Sequence, residues 1–195
     1  MSDTFIRDIS RRYAGGRERL FVLHGNTGDL FPHMETRFTL PDYLYHAFTA
    51  GGGDDGARIW IHYSLDRGVR WINDAKATGA ARLGKLLGSE GQTKVTFTKN
   101  PLDLIRMLME VCTRREKKST DSEGRIVPLR VVISDAHLIV PDAPTHFMRP
   151  DDRELLVSLK RFASEPFYDD TNTLIVLATD AVSGIHRELR EVSVT

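Results

Sequence analysis

The sequence predicts an α/β fold, a mostly parallel sheet flanked by helices on both faces. Two observations carry this. Strand-like segments alternate along the chain with helical ones, and three of the four main strands are unbroken apolar runs rather than alternating patterns. A strand apolar on both sides must be covered on both sides, and a parallel sheet wrapped by helices does that.

Taken in order, Ser2 or Asp3 caps a first helix with Phe5, Ile6, Ile9 and Tyr13 on its apolar side. Gly15-Gly16 stops it. Leu20-Phe21-Val22-Leu23 is a buried strand that breaks into the turn-rich loop His24-Gly25-Asn26-Thr27-Gly28. Pro41 suits the first turn of a second helix, which carries Tyr43, Leu44, Ala47 and Phe48. The glycine-rich stretch Gly51 to Gly56 ends it, and Arg58 to Tyr63 is the second strand. Ala75 to Leu87 reads as a helix weakened by Gly79 and Gly84, at about 1 kcal/mol each relative to Ala. Val95 to Thr98 reads as a short edge strand.

Asn100-Pro101 opens a stronger helix, an Asn cap before Pro at the first position, with Leu102, Ile105, Met109 and Cys112 along one face. The charged run Arg114 to Thr120 has no apolar periodicity and reads as an exposed loop. Leu129 to Ile133 is the third strand and ends at Ser134-Asp135-Ala136-His137. Pro141, Pro144 and Pro150 mark a long irregular connection. Asp151 or Asp152 caps a helix with Leu155, Leu156, Leu159, Phe162 and Ala163 facing inward. Thr173 to Ala178 is the fourth strand, closing on Thr179-Asp180, and a short helix spans Ser183 to Glu191.

The 195 residues fit one α/β domain, residues 1–195. A chain of this size buries roughly 70% of its unfolded surface and needs no metal or disulfide staple. Lys+Arg and Asp+Glu both number 27, so the formal net charge is zero. That argues against nucleic acid or an anionic membrane as a partner recruited by bulk charge, because counterion release needs a basic face. A single cysteine, Cys112, precludes an intramolecular disulfide and a multi-cysteine zinc site. The opening residues lack the basic start and apolar run of a signal peptide, and no apolar stretch is long enough to span a bilayer. The expected location is the cytoplasm.

In an open parallel sheet, ligands bind outside the carboxyl ends of the strands. Here those ends supply His24 and Asn26, Ser64 and Asp66, Ser134, Asp135 and His137, then Thr179 and Asp180. Strand ends must turn polar to reach solvent, so the same residues also fit ordinary turns. A phosphate cradle of the form G-x-x-x-x-G-K-S/T is absent. Gly25 to Gly28 follows the first strand as such a loop would, but Asp29 stands where a cation would help. Val131 to Asp135 is an apolar strand with an acidic end, as in magnesium-holding nucleotide hydrolases, without the second acid that would activate water. The seven histidines show no metal-ligand spacing, so no metal site is assigned. Cys112 is a small core residue, Trp60 and Trp71 are core or interface anchors, and no G-x-S-x-G elbow is present.

The order of these pieces resembles the core of an AAA-type ATPase, a P-loop NTPase-like arrangement. Phe21-Val22-Leu23-His24-Gly25-Asn26-Thr27-Gly28-Asp29-Leu30-Phe31 is similar to the L-H-G-N-x-x-D-L-F opening of bacterial AAA family proteins, where the region is an N-terminal module ahead of an intact AAA core. The resemblance implies that the first strand neighbours the fourth. It also implies a degenerate, non-hydrolysing module that serves assembly, partner recruitment or regulation of an ATP-driven machine. On this view the partners are further copies of the chain or other protein subunits. No cofactor is assigned to the chain itself, and ATP and magnesium belong to the longer ATPase. The rim residues implied for a nucleotide or ligand are His24, Gly25, Asn26, Gly28, Asp135 and Thr179. The catalytic candidates are Asp135, His137, Asp180 and Arg190. Arg190 and Arg187 fall near where AAA proteins place an arginine finger, but solvated helix arginines paired with Glu188 and Glu191 account for them more simply. A second reading is a stand-alone small-molecule-binding protein or enzyme that uses the same rim, with His24, Asp135, His137 and Asp180 doing acid–base work.

Overall fold

The four apolar runs assemble side by side. The computed structural model describes residues 4–14, 18–49, 59–72, 99–118 and 129–192. Strands β1 (Leu20–His24), β4 (Ile59–Ser64), β6 (Leu129–Ile133) and β7 (Thr173–Thr179) form a sheet in the order β1-β7-β6-β4. All three pairings among them are parallel, with Leu20 opposite Ile175, Leu129 opposite Thr173 and Ile59 opposite Leu129. The first strand therefore lies beside the fourth, as the resemblance implied. Strand β5 (Gly68–Trp71) returns antiparallel along β4 and closes that edge.

Both faces are covered, and the strands divide their side chains between two apolar cores. Helix α1 (Thr4–Ala14) and α2 (Leu40–Thr49) pack on one face, against Phe21, Trp60, Val132, Leu174 and Val176. Helix α3 (Pro101–Lys118) and the later α5 (Pro150–Ser164) pack on the other, against Val22, Ile61, Val131, Ile175 and Leu177. Every residue of β6 and β7 is buried, which explains why those two strands read as continuous apolar runs. Burying each such Leu, Ile or Val side chain contributes about 1.5–3 kcal/mol, the main term opposing chain entropy.

Local signals set several boundaries. The Asn100 side chain accepts from the Leu102 N–H at 2.9 Å, so the Asn-Pro start of α3 is a true cap. Other expectations need correction. Helix α5 starts at Pro150 with Arg149 as its N-cap, which places Asp151 and Asp152 in the first turn rather than at the cap. There they face the positive end of the helix dipole. Helix α3 runs on to Lys118, through most of the charged run expected to be a loop; Arg, Glu and Lys are good helix formers without an apolar face. The proline-marked connection holds the short helix α4 (Ala136–Ile139) and a 3-10 turn at Thr145–Phe147. The final helix divides into a 3-10 turn at Val182–Gly184 and α6 (Arg187–Val192).

The hairpin of β2 (Phe31–His33) and β3 (Thr36–Phe38), and strand β5, were not expected from the sequence. The two-residue turn between β2 and β3 places Met34 at φ 52 without the usual glycine or asparagine, so its sequence carries no turn signal. Strand β7 is paired on both sides, so at that end of the sheet β1 lacks a second strand among the described residues. The caps at Ser2 and Asp3, Gly15-Gly16, the stretches Gly51–Gly56, Ala75–Leu87 and Val95–Thr98, and the end of the charged run lie outside the described residues.

Candidate functional site

The carboxyl ends of the four parallel strands do converge on one rim, but their polar groups are taken up in separate pairs: Ser64 bonds the Asp66 carboxylate at the end of β4, and three further pairs lie on the two faces of the sheet. Alternation along each strand decides the division. On β7, Leu174, Val176 and Ala178 face α1 and α2, whereas Ile175 and Leu177 face α3 and α5. Thr179 therefore belongs to the α3 side and Asp180 to the α2 side.

On the α3 side, His137 Nδ1 lies 3.1 Å from the fully buried Thr179 Oγ1. The Thr179 hydroxyl also reaches the Ala181 carbonyl at 3.2 Å, so while its one proton is donated there it accepts from His137 when Nδ1 carries the ring proton. Gly184 presses on this histidine: a Cβ at residue 184 would stand 2.9 Å from His137 Cβ. On the α2 side, Thr27 donates to Asp180 at 3.0 Å, and His62 Nε2 shares a hydrogen bond with Ser134 Oγ at 2.9 Å. Burial first, and the Arg70 charge second, push His62 down to about 4. Arg70 also clamps Asp42 with two bonds of 3.2 Å, while Thr39 donates to the same carboxylate at 2.6 Å. Burial would raise the Asp42 pKa, but these hydrogen bonds outweigh it and hold the carboxyl below its ordinary value.

The loop after β1 is built from its own backbone. Gly25 has φ +116, which glycine alone adopts without strain, and its N–H donates to the carbonyls of Thr179 and Asp180, both at 3.2 Å. The Thr27 N–H donates back to Gly25, and the Asp29 N–H to Asn26. One N–H of the loop is thus bonded to the end of β7 and two to carbonyls of the loop itself. Gly28 is open, with nothing within 4 Å of an added Cβ.

Of the remaining expected site residues, Asp135 is exposed in a left-handed conformation, φ 54, ahead of α4. Arg190 makes a 3.0 Å ion pair to Asp142, and Glu188 pairs with Lys160. The pairing of these arginines with Glu188 and Glu191 is therefore replaced, for Arg190, by Asp142. Cys112 is buried beside Thr173, as a core residue should be. Among the described residues, no cluster of three or more His, Cys, Asp or Glu could hold a metal ion, and no helix is long and apolar enough to cross a membrane.

Sequence reasoning missed two features. The His62–Ser134 pair joins residues 72 apart in sequence, and only strand register brings them together. A cavity of about 220 Å³ also opens beside the end of β1, walled by Phe5, Leu23, Phe31 and Leu40 with Asn26 at its mouth. Its walls come from α1, β1, β2 and α2, and no local sequence signal announces such a convergence.

Sheet order and the helices on both faces define a mostly parallel, Rossmann-like α/β domain. A family model described as the AAA+ chaperone N-terminal Rossmann-like domain matches residues 3–194, and the chain belongs to that family. No curated protein matches the chain.

Proposed function

We propose that this domain is a non-hydrolysing module that assembles with, or recruits partners to, an ATP-driven AAA machine. The observation that carries the reading is the state of the loop after β1. A phosphate cradle needs inward-facing backbone N–H groups and a cation. Here the Gly25, Thr27 and Asp29 N–H groups are directed to protein carbonyls. No Lys or Arg occurs between Arg19 and Arg37, and the loop adjoins the carboxylates of Asp29 and Asp180. Asp135, at the end of β6, is followed by Ala136 rather than a second acid.

The loops after β1 and β4 and the short helix α4 after β6 also each expose a large apolar side chain at the carboxyl end of the sheet: Leu30 at 57%, Leu65 at 37% and Leu138 at 62%. Such residues cost little singly, but aligned at one end of a sheet they suit contact with another protein. The acid–base alternative has less support, because His137 and Asp180 are engaged on opposite faces of the sheet.

Photo-crosslinkers at Leu30 and Leu138, used in the cell of origin together with light scattering on the purified chain, test this. The expected products are crosslinks to another copy or to an ATPase subunit. A monomer that forms no protein crosslink and carries a small molecule through purification would favour the alternative.

A further inference from the structure

The cavity at the end of β1 is bordered by the same loop, whose His24, Gly25, Asn26 and Thr27 complete its lining, but the reading above makes no use of its apolar space. Its walls are apolar and pre-formed: Phe31 stacks on Tyr43 with centroids 5.4 Å apart, and Phe5 leans on the same ring at 6.1 Å. At about 220 Å³ it falls short of the ~300–1,000 Å³ of sites for drug-sized ligands, yet a dry cavity of ~150 Å³ already admits benzene. It therefore suits one benzyl- or isobutyl-sized group and not a whole nucleotide.

Position narrows the occupant further. The cavity adjoins a strand that has no second strand partner among the described residues. Leu20, Phe21 and Val22 of that strand are covered, whereas Leu23 is half-buried and His24 exposed, and both border the cavity. An extended chain passing this open end can set a side chain into the cavity. Leu30, next in sequence to the cavity-lining Phe31, and Met34 in the hairpin turn are exposed at 57% and 89%. The charge nearby is mainly acidic: Asp29 lies in the loop, Asp180 bonds its Thr27 and Glu35 sits in the hairpin turn, against Arg37 opposite Pro32. An acidic border repels phosphate and attracts basic residues.

We infer that this cavity is a docking site for an extended polypeptide that inserts one phenylalanine- or leucine-sized side chain next to lysine or arginine. The inference rests on the partner-recruiting reading and names the chemistry of the partner. Fluorescence anisotropy with a fluorescein-labelled peptide, one phenylalanine between pairs of lysines, tests it. Alanine in place of the phenylalanine should weaken binding by about tenfold or more, and glutamates in place of the lysines should abolish it.

Two surface variants leave the core untouched. Asn26→Trp blocks the mouth and should lose the peptide, and Asp29→Lys should weaken it severalfold at low salt, with thermal melts confirming the fold of each. No saturable binding, equal binding of the alanine peptide, indifference to Asn26→Trp, or displacement by Mg-ATP would each overturn the inference. Those outcomes with the crosslinks of the assembly experiment intact would sink the docking site alone. Peptide binding without any crosslinked partner would sink the assembly reading alone.

Discussion

His62 Nε2 lies 2.9 Å from Ser134 Oγ, so β4 and β6 are joined at their carboxyl ends by a side-chain bond as well as by their ladder. Burial, with Arg70 adding to it, holds His62 at about 4, against an ordinary value of 6.5. Between those values the unfolded chain binds a proton that the folded chain does not, so stability falls as pH drops from about 6.5 to about 4. The loss reaches about 3 kcal/mol at most. Urea midpoints across that range should show this slope, and His62→Gln should flatten it. An unchanged slope in the variant would mean that His62 protonates in place.

Gly184 has no room for a side chain. A methyl group there would stand 2.9 Å from His137 Cβ. Gly184→Ala should therefore cost about 1–3 kcal/mol through overpacking and push His137 from Thr179. A urea midpoint gives the energy, and the His137 ring resonances report the lost bond. A variant as stable as the parent, with unshifted resonances, would show that the 3-10 turn yields freely.

Arg130 lies buried in the middle of the sheet, at the end opposite the rim. Its Nη1 donates to Tyr13 Oη at 3.1 Å, to the Leu129 carbonyl at 3.1 Å and to the Asn172 carbonyl at 2.9 Å, with the guanidinium 4.5 Å from the Tyr13 ring centre. Arg130→Met keeps most of the volume and removes those donors, so it should destabilise by about 1–3 kcal/mol. Tyr13→Phe, which keeps the ring, should cost less. Methionine at no cost would mean that desolvation of the guanidinium already cancels its bonds.

The sheet was legible because its evidence is local. Leu129 to Ile133, apart from Arg130, and Thr173 to Ala178 are largely apolar on both sides, as a strand covered on both faces requires. The order of the strands followed from the resemblance, not from periodicity. The β2–β3 hairpin was not legible, because Met34 takes a left-handed conformation that its side chain does not advertise. Strand β5 was missed because four residues with mixed burial, Gly68–Trp71, carry no period. At the rim, residue types were readable but partners were not. His137 with Thr179, Thr27 with Asp180 and His62 with Ser134 are each set by strand register and face, which no spacing encodes.

The account turns on the loop after β1, whose Gly25, Thr27 and Asp29 N–H groups bond to protein carbonyls and whose acidic neighbours find no cation between Arg19 and Arg37. Calorimetric titration of the chain with Mg-ATP measures its consequence directly. The predicted result is no saturable heat up to millimolar nucleotide. A dissociation constant in the low micromolar range, about −8 kcal/mol, would contradict it and show that the loop opens to receive phosphate.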